Sequence, residues 1–242
     1  MNTPEFKEKT VAELVSENIK TAHVFKKYGI DFCCGGGKTI EEACKKNKVE
    51  ITKLQHELIQ TMNSTTPSVN YNLWSLDFLC EYIEQTHHKY IHESIPIIEA
   101  YVTKVAKVHG DAAPETIEIK RLFGEVVAEL IPHMQKEELV LFPYIRKIVR
   151  SKKEGFAAPN PSFGTIKNPI NMMTNEHDIA GRLLKEINTL SSHYHAPEWA
   201  CNTFKALYAK LEEFENDLHI HIHLENNILF PKAIEFESLN NN

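Results

Sequence analysis

The chain has 242 residues, with 27 Lys and Arg against 33 Asp and Glu, so its formal net charge is −6 with histidine neutral. That balance excludes a broad polyanion-binding surface, so no nucleic-acid partner is expected, and 42% apolar with 25% charged residues excludes a disordered or low-complexity chain. No apolar run approaches the roughly 18 residues of a spanning helix, and five cysteines, two of them adjacent, do not make a secreted disulfide framework. A cytoplasmic protein with reduced thiols and no membrane partner is expected.

Residues 1–62 read as a small helical N-terminal domain of three or four short helices. One ends near Gly29, and another opens at Thr39, with Glu42 three residues on as a capping box. Between them, YGIDFCCGGGKT (Tyr28 to Thr39) sets Cys33 and Cys34 before three glycines. Gly37-Lys38-Thr39 imitates the end of a phosphate loop, but Phe32 stands where the first glycine is required and no strand precedes it. An exposed vicinal pair on a flexible turn can bind a soft metal ion, be oxidised or take up nitric oxide; a helix-linking turn whose cysteines merely pack is the alternative. The stretch Thr61–Asn72, rich in Ser, Thr, Asn and Pro, breaks the periodicity and gives a linker over 63–72.

Residues 73–242 read as a four-helix bundle, with helices at roughly 73–109, 115–151, 166–193 and 197–236. In the first helix the apolar seam forward of His88 runs through Ile91, Ile95, Ile98 and Val102, whereas Leu76, Leu79 and Ile83 point at His87. The residues favour His88 and leave His87 open. In the second, Val126 and Leu130 lead to His133 and Glu137, then to Val140 and Tyr144; in the third, Ile166, Ile170 and Met173 lead to His177. The fourth carries Phe204, Leu207, Leu211, Phe214 and Leu218, then His221, Glu225 and Ile228. His133/Glu137 and His221/Glu225 are both His-x-x-x-Glu, which places the two side chains one turn apart on one face.

Four histidines and two glutamates thus project into one core, where unpaired burial costs several kcal/mol each. Bundle proteins build two-metal carboxylate sites in this way. Two bridging glutamates and two histidines per ion, plus an oxo or hydroxo bridge, leave an open position at an octahedral ion, and the donor set suits iron or manganese better than structural zinc. Glu129 lies one turn before His133, and Glu176 immediately precedes His177; either can orient a ring or relay a proton. His219 and His223 fall about 160–200° off the seam and are expected at the surface, with His92, His109, His193 and His195. Cys44, Cys80 and Cys201 are expected to be small buried residues of helices.

Taken together, Y-x-x-D-F-C-C-G-G-G, a lone His ahead of I-P, H-M-Q-K-E-E-x-x-L-F-P, N-E-H-D-x-A-G and H-I-H-L-E-N-N-I-L-F-P resemble the RIC family of iron-sulfur cluster repair di-iron proteins. The resemblance covers nearly the whole chain, the longer loop Ser151–Thr165 apart. It implies an all-α fold with a hemerythrin-like bundle and two iron ions, carboxylate- and oxo-bridged, on His88, His133, Glu137, His177, His221 and Glu225. It also settles His88 over His87. From it, rather than from spacing, comes the implied function of repairing iron-sulfur clusters damaged by nitric oxide or oxidants by supplying iron, with damaged iron-sulfur proteins as partners and a part for Cys33 and Cys34 in iron or nitric oxide handling. On this reading the chain is a non-enzymatic iron donor. The alternatives are a protein that reduces nitric oxide, with Glu129 or Glu176 as proton relay, or one that binds nitric oxide or oxygen; the residues leave monomer or homodimer open.

Overall fold

The structure is a computed structural model that describes residues 3–64, 68–157 and 161–240. Among the described residues there is no strand, and the chain is all-α as expected. Five short helices come first: α1 (Thr3–Glu8), α2 (Val11–Glu17), α3 (Thr21–Lys27), α4 (Ile40–Asn47) and α5 (Ile51–Met62). Four long rods follow. The first runs through α6 (Leu76–Tyr82), a π-helical turn (Ile83–His88) and α7 (Lys89–His109), the second through α8 (Glu115–Lys136), a π turn (Glu137–Leu141) and α9 (Phe142–Glu154). The third is α10 (Lys167–Leu190), and the fourth joins α11 (Asn202–Leu224), a π turn (Glu225–Leu229) and α12 (Phe230–Asn240). The third rod stops short of 193 because Ser192, His193 and Tyr194 all take left-handed conformations (φ 51°, 59° and 63°). The linker expected over 63–72 falls partly outside the described residues, at 65–67, and so does the loop expected over 151–165, at 158–160.

The chain divides into two compact units, Met1–Leu79 with Ile222–Asn242, and Cys80–His221. In the first unit, Thr39 and Glu42 form the expected capping box, and Thr10 with Glu13 forms a second one that opens α2. Phe6, Val11, Leu14, Phe25, Ile40 and Leu54 fill its core. Gly29 (φ 66°) ends α3 in the left-handed conformation that glycine adopts most readily.

The cysteine turn is held from below. One oxygen of Asp31 accepts from the amides of Cys33 and Cys34, both at 3.0 Å, and the other accepts from Gly35 at 2.9 Å. The amide of Ala12 donates to the Gly36 carbonyl at 2.8 Å. Far along the chain, Asn227 Nδ2 donates to the carbonyls of Phe32 (3.3 Å) and Cys33 (3.0 Å). His223 joins this clamp, its Nε2 3.3 Å from Ser16 Oγ and its ring edge-on to Phe32. The surface position expected for His223 is therefore wrong: it is fully buried. The angle off the bundle seam was sound, but Ser16 and Phe32 cover the face it points to.

Burial pushes His223 down to about 4 from its usual 6.5. The unfolded chain then binds a proton more readily than the folded one, so the stability His223 allows is complete above pH 6.5 and is lost as pH falls toward 4. The expected loss by pH 5 is about 2 kcal/mol. Urea unfolding of wild type and His223→Gln between pH 7.5 and 5 checks this: the wild type should lose more stability than the variant over that interval, and equal slopes would refute it.

In the second unit α8 packs against α7 and α10. The expected seam is buried through Ile91, Ile98, Val126, Leu130, Met173 and Phe214. Arg146 binds Glu84 through both guanidinium nitrogens (3.1 and 2.6 Å), tying the second rod to the π turn of the first.

Candidate metal centre

Each of the three π turns touches a polar core residue: His88 closes the first, Glu137 opens the second and Glu225 opens the third. Such a turn adds one residue to the coil, so side chains before and after it keep facing the core although their spacing has slipped by one. Pro143 and Pro231 each follow a π turn by two residues. A proline crowds the carbonyl four residues back, here in the widened turn, and brings no N–H of its own. The slip also explains two differences from the sequence reading. Val140, expected on the seam, is 45% exposed while Leu141 is buried, and His87 is buried together with His88.

His88, His133, Glu137, His177, His221 and Glu225 are all at most 1% exposed. Donor atoms of His88, Glu137 and His221 lie within 4.8 Å of one another, as do those of His133, Glu137 and His177. Glu137 belongs to both sets: its Oε2 is 3.4 Å from His88 Nε2 and 3.3 Å from His133 Nε2. His133 and His177 face each other Nε2 to Nε2 at 3.0 Å. Two nitrogens at right angles on one ion, each about 2.1 Å from it, stand about 3.0 Å apart; an N–H···N hydrogen bond has a similar length. Glu225 follows His221 by one turn, as Glu137 follows His133.

Outer carboxylates hold the rings. Glu176 Oε2 accepts from His133 Nδ1 at 2.9 Å and is paired with Lys136 on its other oxygen. The hydrogen bond from His133, then Lys136, brings the Glu176 carboxyl down to about 2 against the pull of burial. Glu138 Oε1 accepts from His88 Nδ1 at 2.8 Å. Glu176 is the outer carboxylate expected from the sequence; Glu138 was not expected, because its partner lies on another rod and the doubled glutamate in HMQKEE is its one visible sign. Glu129 is half-buried and, among the described residues, belongs to neither donor set.

Cys33 is 5% exposed and Cys34 half-buried, their sulfurs 3.8 Å apart without a disulfide. The neighbouring Cys34 thiol, then burial, push the Cys33 thiol well above its ordinary value. At neutral pH it is protonated. Cys201, expected to be buried, is exposed. It precedes α11 rather than lying within it and meets His109 Nε2 at 3.2 Å; the Phe204 amide, then His109, lower its thiol to about 7.

A histidine and carboxylate cluster buried between long helices defines a hemerythrin-like cation-binding bundle. The family model described as Hemerythrin HHE cation binding domain matches residues 82–233, and a domain family of unknown function, DUF542, matches residues 7–61. The chain is 34% identical over 225 residues to the iron-sulfur cluster repair protein ScdA of Staphylococcus haemolyticus, covering 93% of this chain and 97% of that one. It is 33% identical over 233 residues to the iron-sulfur cluster repair protein YtfE of Musicola paradisiaca, covering 96% and 99%. The chain belongs to this family of hemerythrin-like iron-sulfur cluster repair proteins. No helix among the described residues is long and apolar enough to cross a membrane.

Proposed function

We propose that the chain repairs iron-sulfur clusters damaged by nitrosative or oxidative stress by supplying iron from a carboxylate-bridged pair of iron ions. The observation that carries this is Glu137, buried and shared by two donor sets. The proposed ligands are His88, His133, Glu137, His177 and His221, with Glu225, one turn after His221, as the sixth. The donor chemistry fits: buried carboxylates need a cation, and neutral imidazoles with hard oxygens suit iron. Bound there, iron supplies an exchangeable cation and a redox couple. Glu138 and Glu176 fix the ring tautomers so that Nε2 presents its lone pair to the centre. Cys34, the more exposed of the pair, is the thiol open to an incoming ligand or cluster fragment.

The family names of the relatives support this reading. Its test is reactivation of an iron-sulfur enzyme inactivated by nitric oxide. Iron-loaded protein should restore activity, whereas His133→Ala should not; equal restoration by apo-protein with free iron would overturn it. A second reading, reduction of nitric oxide, is favoured by Lys136, which is 39% exposed and links Glu176 and His133 to solvent. Turnover over many cycles would support that reading, and a single stoichiometric burst would refute it.

A further inference from the structure

Three histidines in the second unit share one construction, a carboxylate on Nδ1: Glu138 on His88 at 2.8 Å, Glu176 on His133 at 2.9 Å and Asp217 on His87 at 3.0 Å. This is how proteins prepare an imidazole for a metal, because a proton held at Nδ1 leaves the Nε2 lone pair exposed to the ion. His88 and His133 each belong to a donor set, and His87 belongs to neither. Yet His87 is 4% exposed, and its Nε2 is buried without a hydrogen-bond partner among the described residues. A buried ring nitrogen left in that state is costly unless something occupies it. Asp217 Oδ2 is likewise buried without a hydrogen-bond partner among the described residues, although the Asp217 side chain as a whole is 21% exposed.

The position of the pair makes this more than an odd core histidine. The His87 ring lies parallel to His221, 5.6 Å between centroids and 6° between planes, and Tyr82 packs edge-on to its ring at 5.7 Å. His221 also meets His88 at 4.9 Å. His87 thus stands one ring away from the donor set of His88 and His221, and its carboxylate reaches toward solvent. The other donor set has no such neighbour among the described carboxylate–histidine pairs, and its Glu176 is tied down by Lys136.

We propose that His87, held by Asp217, is an accessory metal ligand that takes the ferrous ion from the His88/His221 set through its Nε2 and passes it outward, making that ion the one given up first. The exchange is a ligand substitution: a bond from His87 Nε2 to the ion forms as one to the resident set breaks, with no change in oxidation state. The proposal rests on the iron-donor reading above, and its test separates the two.

The full chain, loaded with iron and reduced, is mixed with excess ferrous chelator, and iron release is followed by absorbance. Wild type should release iron in two phases of about one ion each. His87→Gln and Asp217→Asn should slow the faster phase about tenfold, a typical cost of losing an outer partner at a metal site, with iron per chain unchanged before mixing. Asp217→Asn keeps the side-chain volume, so the test survives if His87→Gln folds poorly. Unchanged rates in both variants would overturn the accessory ligand while leaving iron donation standing. A drop of one iron per chain before mixing would also overturn it, because His87 would then be a resident ligand. A wild type that releases no iron and restores no damaged enzyme would instead sink the donor reading itself.

Discussion

Glutamine at position 137 is expected to empty both halves of the metal centre at once. Glu137 is the carboxylate within reach of His88 and of His133, so its loss removes an anionic oxygen from each donor set. If two ions bind as proposed, iron per chain should fall to well below one, whereas His177→Ala or His221→Ala, each touching one set, should retain roughly half the metal. Stability should respond with opposite sign in the two states. The apo-protein should gain from Glu137→Gln, because a fully buried charge is replaced by a neutral amide. The iron-loaded comparison should turn the other way, since a ligand present at a thousand times its Kd contributes about 4 kcal/mol that the variant can no longer draw on. Elemental analysis with thermal unfolding of both forms checks this, and a variant that keeps two irons would exclude the shared-carboxylate arrangement.

The second large effect is expected at Gly36. A Cβ there would stand 2.4 Å from the Phe32 carbonyl oxygen and 2.9 Å from Ala12 Cβ, so backbone must move. It has little room, because the Gly36 carbonyl is held by the Ala12 amide and the preceding turn is fastened to Asp31. Gly36→Ala should cost about 3 kcal/mol or more and expose Cys33 to thiol reagents. Gly37→Ala is the control: its added Cβ meets nothing within 4 Å, and an effect within about 0.5 kcal/mol is expected. Urea unfolding and the rate of Cys33 labelling report both quantities; similar behaviour of the two variants would contradict the close approach at Gly36.

The polar core residues other than His88 were legible because each interrupts an apolar seam of regular spacing, and because two His-x-x-x-Glu pairs repeat one helical geometry. What the seam did not reveal was the widening of the coil. Its trace was present in the first rod, where the pattern from Leu76 pointed at His87 and the pattern from Ile91 pointed at His88. A one-residue conflict of that kind is what a π turn leaves in a sequence. In the second rod the same slip passed unnoticed, since Val140 is as apolar as Leu141. Residues whose partners lie far along the chain were not legible at all. His223 depends on Ser16 and Phe32, Glu138 on a ring of another rod, and Asp217 on His87, 130 residues away. Cys201 was misplaced for a local reason: it sits just ahead of a helix rather than inside it.

The hold of Asn227 on the cysteine turn joins that turn to the helix that carries Glu225. Asn227 lies in the π turn that opens at Glu225, and its amide grips the carbonyls of Phe32 and Cys33. On the ligand set proposed above, a cation that ordered that turn through Glu225 would tighten this grip on the thiol segment. Linkage requires the converse with the same factor: an oxidation or nitrosation of Cys34 that loosens the grip weakens cation binding as much as cation loss loosens the grip. On that ligand set, a modified thiol would therefore register as a change in cation affinity.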